Sequence, residues 1–449
     1  MSQAEAAAPP AATLPPGPGM PMLVQTLLWM FRPLPFMERC RARHGDVFTV
    51  KLPLSGGVVN ICDPLLIRTV FGDRGDRLRA GEANIVLQPV LGRHSVLLLD
   101  GPDHMRQRKL MLPSLHGERM QRYGPLIGGI TARRVEGWPE GRAFPLRPEF
   151  QAITLDVILR AVFGLHEGDR LVHLRGALEG LLASGRNRLA MLPPLQRDLG
   201  GLSPWGRLMR RRAACDELLY AEIRRRRAVP DLADRDDVLS LLLLARDDQG
   251  RAMTDVELRD ELITLLLAGH ETTATSLAWL FELLLHEPAA MRRLEEEVLE
   301  GSGTAWLDAC ITESMRLRPV IPVVARHLTE PLELGGWQLP AGSYIAPNIV
   351  LTHRRADTYP EPLRFRPERF LDSRADSFAW LPFGGGIRRC LGAAFATFEM
   401  RAVVPEVIRR ARLRAASPRP ASIRRRGITL VPAGGTRVIA ERRRPRTPG

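Results

Sequence analysis

A long apolar helix near the middle of the chain constrains the fold more than any other sequence feature. Thr254 and Glu257 form a capping-box pattern at its start, apolar periodicity continues to about His286, and Pro288 ends it. At 1.5 Å per residue such a helix is roughly 45 Å long, which is enough to cross a whole domain. Its middle is almost entirely apolar, so we expect it to be buried on most of its sides.

The rest of the chain predicts a mainly α fold with a small β subdomain. Strands are predicted at Val47–Leu52 and Val58–Cys62, and a helix at Pro64–Phe71. Helical patterns then dominate, with neither a regular β-α alternation nor an internal repeat, which argues against a doubly wound sheet. The predicted organisation is a flexible Ala- and Pro-rich tail (1–20), a single domain (21–440) with a β-rich part (about 45–100), a helical part (about 103–412) and C-terminal strands, and a basic tail (441–449).

Polar residues interrupt the apolar middle of the long helix. Glu271, Thr272 and Thr273 follow Ala268 and Gly269, and polar groups in a buried helix are costly unless they are satisfied or useful. One interpretation is structural, with a carboxylate at the helix surface and two hydroxyls bonded to the preceding turn. The other is functional, because Ala268 and Thr272 share one helical face and the small residues leave a gap that could admit a flat ligand or dioxygen.

Cys390 stands in a Gly- and Arg-rich loop, just before a helix predicted to begin near Gly392. The chain has five cysteines without any C-x-x-C pair, which disfavours a disulfide framework or a zinc ribbon and suits a reducing cytoplasm. A helix N-terminus and nearby arginines lower a thiol pKa, so we expect a thiolate here. A single thiolate suits haem iron, because the porphyrin supplies four other ligands. A nucleophilic cysteine and a buried structural cysteine are the alternatives.

The net charge of +14 comes almost entirely from arginine, since Lys51 and Lys109 are the only lysines. The arginines are scattered along a long apolar chain without a nucleic-acid motif, so no nucleic-acid partner is predicted. A basic surface is better explained by an acidic protein partner than by nucleic acid. The apolar run Met22–Phe31 is too short to cross a bilayer, which predicts no transmembrane segment, while peripheral membrane contact stays open. We expect a cytoplasmic protein.

Four motifs, in order along the chain, resemble those of the cytochrome P-450 family. They are the central segment Ala268–Thr273, similar to the oxygen-activation motif, then Glu313-x-x-Arg316, the meander-like Pro367–Phe370, and Phe383-x-x-Gly386-x-Arg388-x-Cys390-x-Gly392, similar to the haem-binding signature. The resemblance covers about Gly45 to Ile439. It implies a triangular helical prism with a small β subdomain and a buried haem b between two central helices.

The resemblance also implies roles for residues of this chain around the haem. Cys390 would be the axial ligand of the iron. Glu313, Arg316 and Arg369 would form a buried ion-pair network behind its loop, where removal of one partner costs about 3–5 kcal/mol. The haem propionates would be bound by His104, Arg108, Arg326 and Arg388, and further cofactor contacts would come from Ala268, Phe383 and Gly392.

The same resemblance implies a monooxygenase that activates dioxygen and hydroxylates or epoxidises its substrate. Thr272 would hydrogen-bond dioxygen or an ordered water, and Glu271 would supply protons from solvent by rotation or through water. The expected substrate-lining residues are nearly all aliphatic, which predicts a lipophilic substrate of terpenoid, steroid or fatty-acyl type. They are Ile85, Val86, Leu87, Val90, Leu265, Ile321, Val323, Val324, Ile428 and Thr429.

Electrons should come from a separate protein, because the chain leaves no room for a flavin or nicotinamide domain. We expect an acidic ferredoxin or flavodoxin, with its reductase, to dock on basic residues near the haem. The candidates are Arg106, Lys109, Arg401, Arg409, Arg410 and Arg412. Alternative functions are a haem-thiolate isomerase or peroxygenase, which would not need Glu271 and Thr272, and a non-catalytic haem sensor, which would usually carry an output module.

Three further segments bear on the family pattern. The connection Glu300–Thr304 is very short, and Pro405 lies inside the helix after Cys390, where it should kink the helix. Leu189–Trp205 occupies the place of the family's mobile access lid, close to Arg186 and Arg188. An exposed loop and a membrane-touching loop are both open interpretations of that segment.

Overall fold

The computed structural model describes residues 14–53, 56–73, 77–117, 119–165, 168–185, 196–199, 203–372 and 376–443. Both predicted tails and the predicted lid segment fall partly outside these ranges, and Arg186 and Arg188 lie outside them. The described end of the first tail lies against the domain, since the Thr49 N–H donates to the Pro16 carbonyl at 3.0 Å.

Helices dominate the described chain, as the sequence predicts. None of them combines the length and the apolar composition that crossing a bilayer requires. They are α1 (Met22–Phe31), α2 (Pro33–His44), α3 (Pro64–Gly72), α4 (Ala80–Ala83), α5 (Gln88–Leu91), α6 (Gly101–Met111), α7 (Arg119–Glu136), α8 (Leu146–Phe163), α9 (Asp169–Gly185), α10 (Pro204–Arg227), α11 (Val238–Leu244), α12 (Asp255–Leu285), α13 (Pro288–Glu300), α14 (Ala305–Leu317), α15 (Ile349–Thr352) and α16 (Ala393–Arg410).

The strands form small sheets, and the two predicted strands are found one or two residues shorter than expected. The strands are β1 (Val47–Val50), β2 (Val58–Ile61), β3 (Leu78–Arg79), β4 (Ala143–Pro145), β5 (Arg326–Leu328), β6 (Leu332–Leu334), β7 (Trp337–Leu339), β8 (Tyr344–Pro347), β9 (Ala411–Ala415), β10 (Ile423–Arg426), β11 (Thr429–Pro432) and β12 (Arg437–Arg442). Their orders within the sheets are β1-β2-β8-β5-β3, β4-β12-β9, β10-β11 and β6-β7. Strand β2 pairs with β8 in parallel, and the antiparallel pair β1–β2 joins Val47 to Ile61.

The predicted long helix is α12, and its capping box is formed. The Glu257 N–H donates to the Thr254 hydroxyl at 3.2 Å, and the Thr254 N–H donates to the Glu257 carboxylate at 2.7 Å. Residues 258–266 of α12 belong to one core cluster, shared with α8 to α11, whereas residues 274–284 belong to another, shared with α7, α14 and α16. The polar segment 268–273 therefore lies where the helix passes from one core to the other.

Helix α16 begins where the sequence predicts, with Gly392 as its N-cap residue. Pro405 lies within it, and the helix continues to Arg410. The kink at Pro405 stays a prediction.

The short connection between α13 and α14 is stabilised by a side chain of α13. Glu297 accepts hydrogen bonds from the N–H groups of Trp306 and Leu307 at 2.7 and 2.9 Å. These are N–H groups of the first turn of α14, which have no partner within the helix. Glu297 thus replaces the cap that a longer connection could provide.

Candidate active site

The loop before α16 has a shape that requires glycine at Gly386. The φ angle there is +62°, and a Cβ atom would lie 2.1 Å from the Phe71 carbonyl oxygen. The Cys390 N–H donates to the Phe383 carbonyl at 2.9 Å, and the Arg389 N–H donates to the Gly386 carbonyl at 3.1 Å. The loop is therefore a compact turn that ends at Cys390, beside the N-terminus of α16.

Cys390 is exposed, whereas the other four cysteines are buried. Desolvation by the surrounding protein nevertheless raises the pKa of its thiol. The backbone hydrogen bond at Gly392 and the charges of Arg108 and Arg389 lower that pKa, but by less. The predicted lowering of the Cys390 pKa is therefore wrong for the protein without a bound metal ion, because desolvation disfavours the charged form of the thiol. A metal ion bound at the sulfur would favour the thiolate.

The predicted ion-pair network lies behind this loop. Glu313 and Arg316 on α14 form a bidentate pair at 2.6 and 2.8 Å, and neither side chain is exposed. Arg369 Nε lies 3.4 Å from a carboxylate oxygen of Glu313. Arg316 also donates to the carbonyls of His353 and Pro362 at 2.7 and 2.9 Å. The three predicted residues are thus brought together, and Arg316 ties α14 to two backbone segments outside the helix.

His353 connects this network to the cysteine loop, and no sequence motif marks it. Its ring Nδ1 lies 2.9 Å from the Arg316 carbonyl, and its Nε2 lies 2.7 Å from the Leu381 N–H. A backbone N–H can only donate, so these contacts assign the neutral ring with its proton on Nδ1. Burial, together with the charge of Arg316, lowers the pKa of His353 to about 3. The imidazole is therefore a fixed neutral spacer between α14 and the loop.

Four basic side chains from separate segments lie close together: His104 and Arg108 on α6, Arg326 in β5, and Arg388 in the loop. Burial and the charges of the three arginines lower the pKa of His104 to about 3. Burial, followed by the charge of Arg388, lowers the pKa of Arg326 to about 10. Arg388 pairs with Asp100, while His104 Nδ1 is buried without a hydrogen-bond partner in the described chain. The three arginines leave an excess of positive charge beside a histidine nitrogen without a partner, and this arrangement suits an anion.

The polar segment of α12 has one accessible side. Ala268 is exposed, although Leu266 and His270 on either side of it are buried. The Thr272 hydroxyl donates to the Ala268 carbonyl at 2.6 Å, which is the contact that the structural interpretation of this segment requires. The hydroxyl oxygen still has lone pairs for a further donor, so this contact leaves the functional interpretation open.

Glu271 is held by two residues of α8 that the sequence does not single out. Arg147 forms an ion pair with one carboxylate oxygen, and Gln151 donates to the other at 2.6 Å. Arg147 is buried, and its Nε donates to the Thr275 hydroxyl at 3.2 Å. The Glu271 side chain is 20% exposed. Rotation of this carboxylate, as expected from the sequence, would first have to break its bonds to α8.

A second acid, Glu399 on α16, lies close to the same segment. It is buried, and burial raises its pKa to about 8, against a hydrogen bond with Thr273 that acts in the opposite direction. Its Oε1 has no hydrogen-bond partner among the described residues. The contact joins the helix that follows Cys390 to the residue next to Thr272. The signal that could have indicated it is an acid in the first half of α16, where the neighbouring residues are mostly apolar.

Comparisons with known proteins assign the family. The sequence profile of the family described as Cytochrome P-450 matches residues 15–436. A Mycobacterium tuberculosis protein provisionally named cytochrome P-450 135B1 is 42% identical over 431 residues, covering 95% of this chain and 91% of that protein. Another from that organism, provisionally named cytochrome P-450 138, is 41% identical over 439 residues, covering 98% of each. The structure of a retinoic-acid-bound cyanobacterial cytochrome P-450 has a TM-score of 0.84 at 24% identity and covers 96% of this chain and 100% of that one.

This chain is a cytochrome P-450. The predicted fold class and the predicted haem b cofactor are confirmed, and the family is one of haem-thiolate monooxygenases.

The described residues of this cytochrome P-450 fit a haem. The two propionates would supply the anions that the basic cluster lacks, including a partner for His104 Nδ1. A Cβ atom at Gly392 would meet no protein atom within 4 Å, so the protein itself does not require glycine there. Phe383 is fixed by an edge contact with Trp380, whose ring centroid lies 6.0 Å away. When bound, haem supplies the oxygen-activating iron, and these are the residues that would hold it.

The predicted substrate-lining residues of the P-450 fall into separate groups. Val90 and Leu265 pack against the same core cluster. The Leu430 N–H donates to the Val320 carbonyl at 2.8 Å. This bond places the segment with Ile428 and Thr429 beside the segment with Ile321, Val323 and Val324. A third group, Ile85, Val86 and Leu87, forms a 3₁₀ turn in which Ile85 and Val86 are exposed.

Most basic residues predicted for redox docking are paired with acids of the P-450 itself. Arg106 lies 2.7 Å from both Asp247 and Glu257, and Lys109 lies 2.7 Å from Asp248. Further pairs join Arg401 to Asp308, and Arg409 and Arg410 to Glu406. Arg412 and Arg389 are exposed, and Arg389 directly precedes Cys390 in the sequence. The charge available to a partner is thus smaller than the sequence suggests.

Proposed function

We propose that this cytochrome P-450 uses Cys390 as the axial ligand of the haem iron and inserts one atom of dioxygen into a lipophilic small molecule. The observation that carries the proposal is the pairing of one exposed thiol with three arginines that surround a buried, unpartnered histidine. Cys390 ends a compact glycine turn, and Arg108, Arg326 and Arg388 bring positive charge to the region around the neutral ring of His104. A ligand with a thiolate-binding metal centre and carboxylates at its edge satisfies both features.

The cysteine loop is suited to hold a ligand atom in one place. Arg108 donates to the Arg389 carbonyl at 2.8 Å, and His353 binds the backbone of Leu381 at 2.7 Å. These bonds attach the loop to α6 and α14. A loop attached in this way would hold the Cys390 sulfur in place for a haem iron, which supports its proposed role as a permanent ligand.

On the α12 side, we assign proton movement to Thr272 and Glu271. The Thr272 hydroxyl would exchange its bond to the Ala268 carbonyl for a bond to dioxygen or to a water beside it. Glu271 would pass protons inward, with Arg147 and Gln151 holding its carboxylate between transfers. Delivery of protons by a positioned acid and alcohol is typical of general acid–base catalysis.

The substrate is proposed to be a terpenoid, steroid or fatty-acyl compound that the enzyme hydroxylates or epoxidises. The support is the aliphatic character of the lining candidates, such as Val90, Leu265 and Ile321. A panel of lipophilic compounds and a matched panel of polar compounds should be screened for shifts of the haem Soret band. Shifts confined to the polar panel would contradict the substrate class, but not the axial ligand.

Electron supply is assigned to a separate acidic ferredoxin or flavodoxin with its reductase, in the cytoplasm. Arg389 and Arg412 offer exposed positive charge to such a partner. Arg389→Gln should lower the electron-transfer rate about severalfold at low salt and flatten its dependence on ionic strength. Rates that are independent of ionic strength in the unmodified enzyme would remove this part of the proposal.

The axial ligand is tested by Cys390→Ser. The variant should lose the red-shifted carbon monoxide band of the reduced protein, because an alcohol replaces the thiolate. Cys40→Ser is the matched variant, since Cys40 lies in a core cluster with residues of α2 and β1, and it should keep the band. Retention of the band by Cys390→Ser would exclude Cys390 as the ligand.

A further inference from the structure

Helix α1 presents its apolar side outward. Leu23, Leu27 and Phe31 are 68%, 44% and 64% exposed, and their spacing of four residues aligns them in one stripe along the helix. Val24, at 39% exposed, widens the stripe. Soluble surfaces rarely carry so many adjacent large apolar side chains unless they meet another apolar phase.

The inward side of α1 is anchored by a buried polar residue. Gln25 is fully buried, and its amide donates to the carbonyls of Pro18 and Met20 at 3.0 and 2.7 Å. Its amide oxygen accepts from the Lys51 N–H at 2.9 Å. Rotation of α1 to bury the stripe would break these three hydrogen bonds, and buried polar groups left unpaired are costly. The outward stripe is therefore built into the fold.

A basic hairpin lies beside α1. The Arg425 guanidinium stands 4.6 Å above the ring of Trp29 and donates to the Trp29 carbonyl at 3.2 Å. The hairpin β10–β11 also carries Arg424, which is exposed, and Ile428, which is 55% exposed. Arg32 is exposed directly after the helix. The sequence has no acidic residue within 14–37 or 416–436, so this surface is apolar and positively charged.

We propose that this surface, formed by the outward stripe of α1, Arg32 and the β10–β11 hairpin, docks on an anionic phospholipid bilayer. An apolar stripe bordered by arginines matches the boundary between acyl chains and negatively charged headgroups. At ten residues α1 is too short to span the bilayer, so it lies in the plane of the interface. This inference is independent of the chemistry proposed for Cys390.

The N-terminal residues of the chain are a poor alternative occupant of the stripe. Residues 1–13 contain no large aliphatic or aromatic side chain apart from Met1. A second copy of the chain would bring arginines against arginines. The experiment below distinguishes these two occupants from a bilayer.

The test is co-sedimentation of the haem-loaded, full-length protein with vesicles of phosphatidylcholine, with and without phosphatidylglycerol. We expect binding only to the anionic vesicles, and weaker binding at high salt. The double variant Leu23→Ser/Leu27→Ser should lower the partition coefficient about tenfold or more, because two large apolar side chains no longer enter the interface. Arg424→Gln should lower it by about fivefold.

Matched variants separate the stripe from a general effect of surface hydrophobicity. Leu65 and Leu363 are 71% and 62% exposed elsewhere on the chain. Leu65→Ser/Leu363→Ser should bind vesicles like the unmodified protein. Arg142→Gln is the control for Arg424→Gln, and it should also bind like the unmodified protein. All variants should keep the carbon monoxide band, so a negative docking result would leave the proposed function unaffected.

Several outcomes would overturn the docking proposal. They are no binding to anionic vesicles, equal binding to neutral vesicles, and equal losses in the stripe variant and its matched variant. A dimer in solution that Leu23→Ser/Leu27→Ser dissociates would assign the stripe to a second copy instead. Binding that appears only after deletion of residues 2–13 would assign it to the N-terminal residues.

Discussion

Two polar regions of this cytochrome P-450 differ in how completely the protein satisfies them. Behind Cys390, the Glu313–Arg316 pair is fully buried, and Arg316 makes additional bonds to backbone carbonyls. In the middle of α12, Glu271 and Thr272 have partners too, but both keep an accessible side. A saturated network resists any change of geometry or protonation, which suits the placement of a ligand atom. A half-open one can exchange partners, which suits the movement of protons.

The largest effect should come from breaking the saturated network. Arg316→Ala leaves the buried Glu313 carboxylate with the Arg366 N–H at 2.9 Å and with Arg369 as its one remaining charged partner, at 3.4 Å. It should lower the free energy of unfolding by about 3–5 kcal/mol. Arg409→Ala removes an exposed partner of Glu406 and should cost about 0–1 kcal/mol. Denaturant unfolding and haem content measure both variants. Similar losses in the two would show that the buried network is no more important than a surface pair.

His353 tests whether the saturated region depends on a neutral imidazole. His353→Gln should lower the free energy of unfolding by about 2–3 kcal/mol at pH 7, because two buried hydrogen bonds lose their geometry. The pKa of His353 is about 3 in the folded protein and 6.5 when exposed. Its stabilising effect is therefore complete above pH 6.5 and is lost as the pH falls, by about 1.4 kcal/mol per pH unit.

The pH dependence distinguishes His353 from a residue that only fills space. Unfolding at pH 7 and pH 5 should show a smaller acid-induced loss in His353→Gln than in the unmodified protein. Part of the acid-induced fall in stability should remain in the variant, because the pKa of His104 is also lowered to about 3. His116→Gln, at an exposed position, should leave the dependence unchanged. An unaltered dependence in His353→Gln would contradict the neutral imidazole.

The half-open region should respond in function rather than stability. Thr272→Ala should divert reducing equivalents to peroxide and lower product per NAD(P)H about tenfold, because the proton path loses its alcohol. Thr312→Ala on α14 loses a similar bond to the carbonyl four residues earlier and should stay coupled. Both should unfold at nearly the same denaturant concentration as the unmodified protein. Tight coupling in Thr272→Ala would refute the role assigned to that hydroxyl.

The smallest effect on stability at pH 5 should come from Glu399, which joins the two regions. Its pKa is about 8 in the folded protein against 4.5 when exposed, so it destabilises the fold increasingly as the pH rises from 4.5 to 8. Glu399→Gln keeps the neutral shape and should change the free energy of unfolding by about 1 kcal/mol or less at pH 5. Relative to the unmodified protein it should become more stable as the pH rises. Glu406→Gln on the same helix should show no such trend.

Local features of the fold were predictable, and the reasons are visible at α12. Its start follows from the reciprocal bonds of Thr254 and Glu257, which lie within one helical turn. Likewise, Glu313 and Arg316 are three residues apart on one helix, so their pairing requires no knowledge of the remaining chain. The four motifs of the family then indicated haem b and the monooxygenase class.

The partners of these residues were not predictable, because they are distant along the chain. Arg147 is separated from Glu271 by 124 residues, and His353 from Arg316 by 37. The wrong expectation for the Cys390 pKa has a similar cause. Nearby charges can be read from the loop, whereas desolvation depends on every element packed around the sulfur. The same holds for Arg106, because its acidic partners Asp247 and Glu257 lie 141 and 151 residues away in the sequence and offset its charge.

The sequence by itself determined the helical class, the bounds of α12 and the residue types at the haem, since capping, periodicity and motif spacing act over a few residues. Only the tertiary structure decided which polar groups are saturated and which stay accessible. It also decided that α1 buries Gln25 and exposes Leu23 and Leu27. Such outcomes depend on which distant segments supply hydrogen bonds and exclude water, and a buried polar group gains or loses free energy according to those segments.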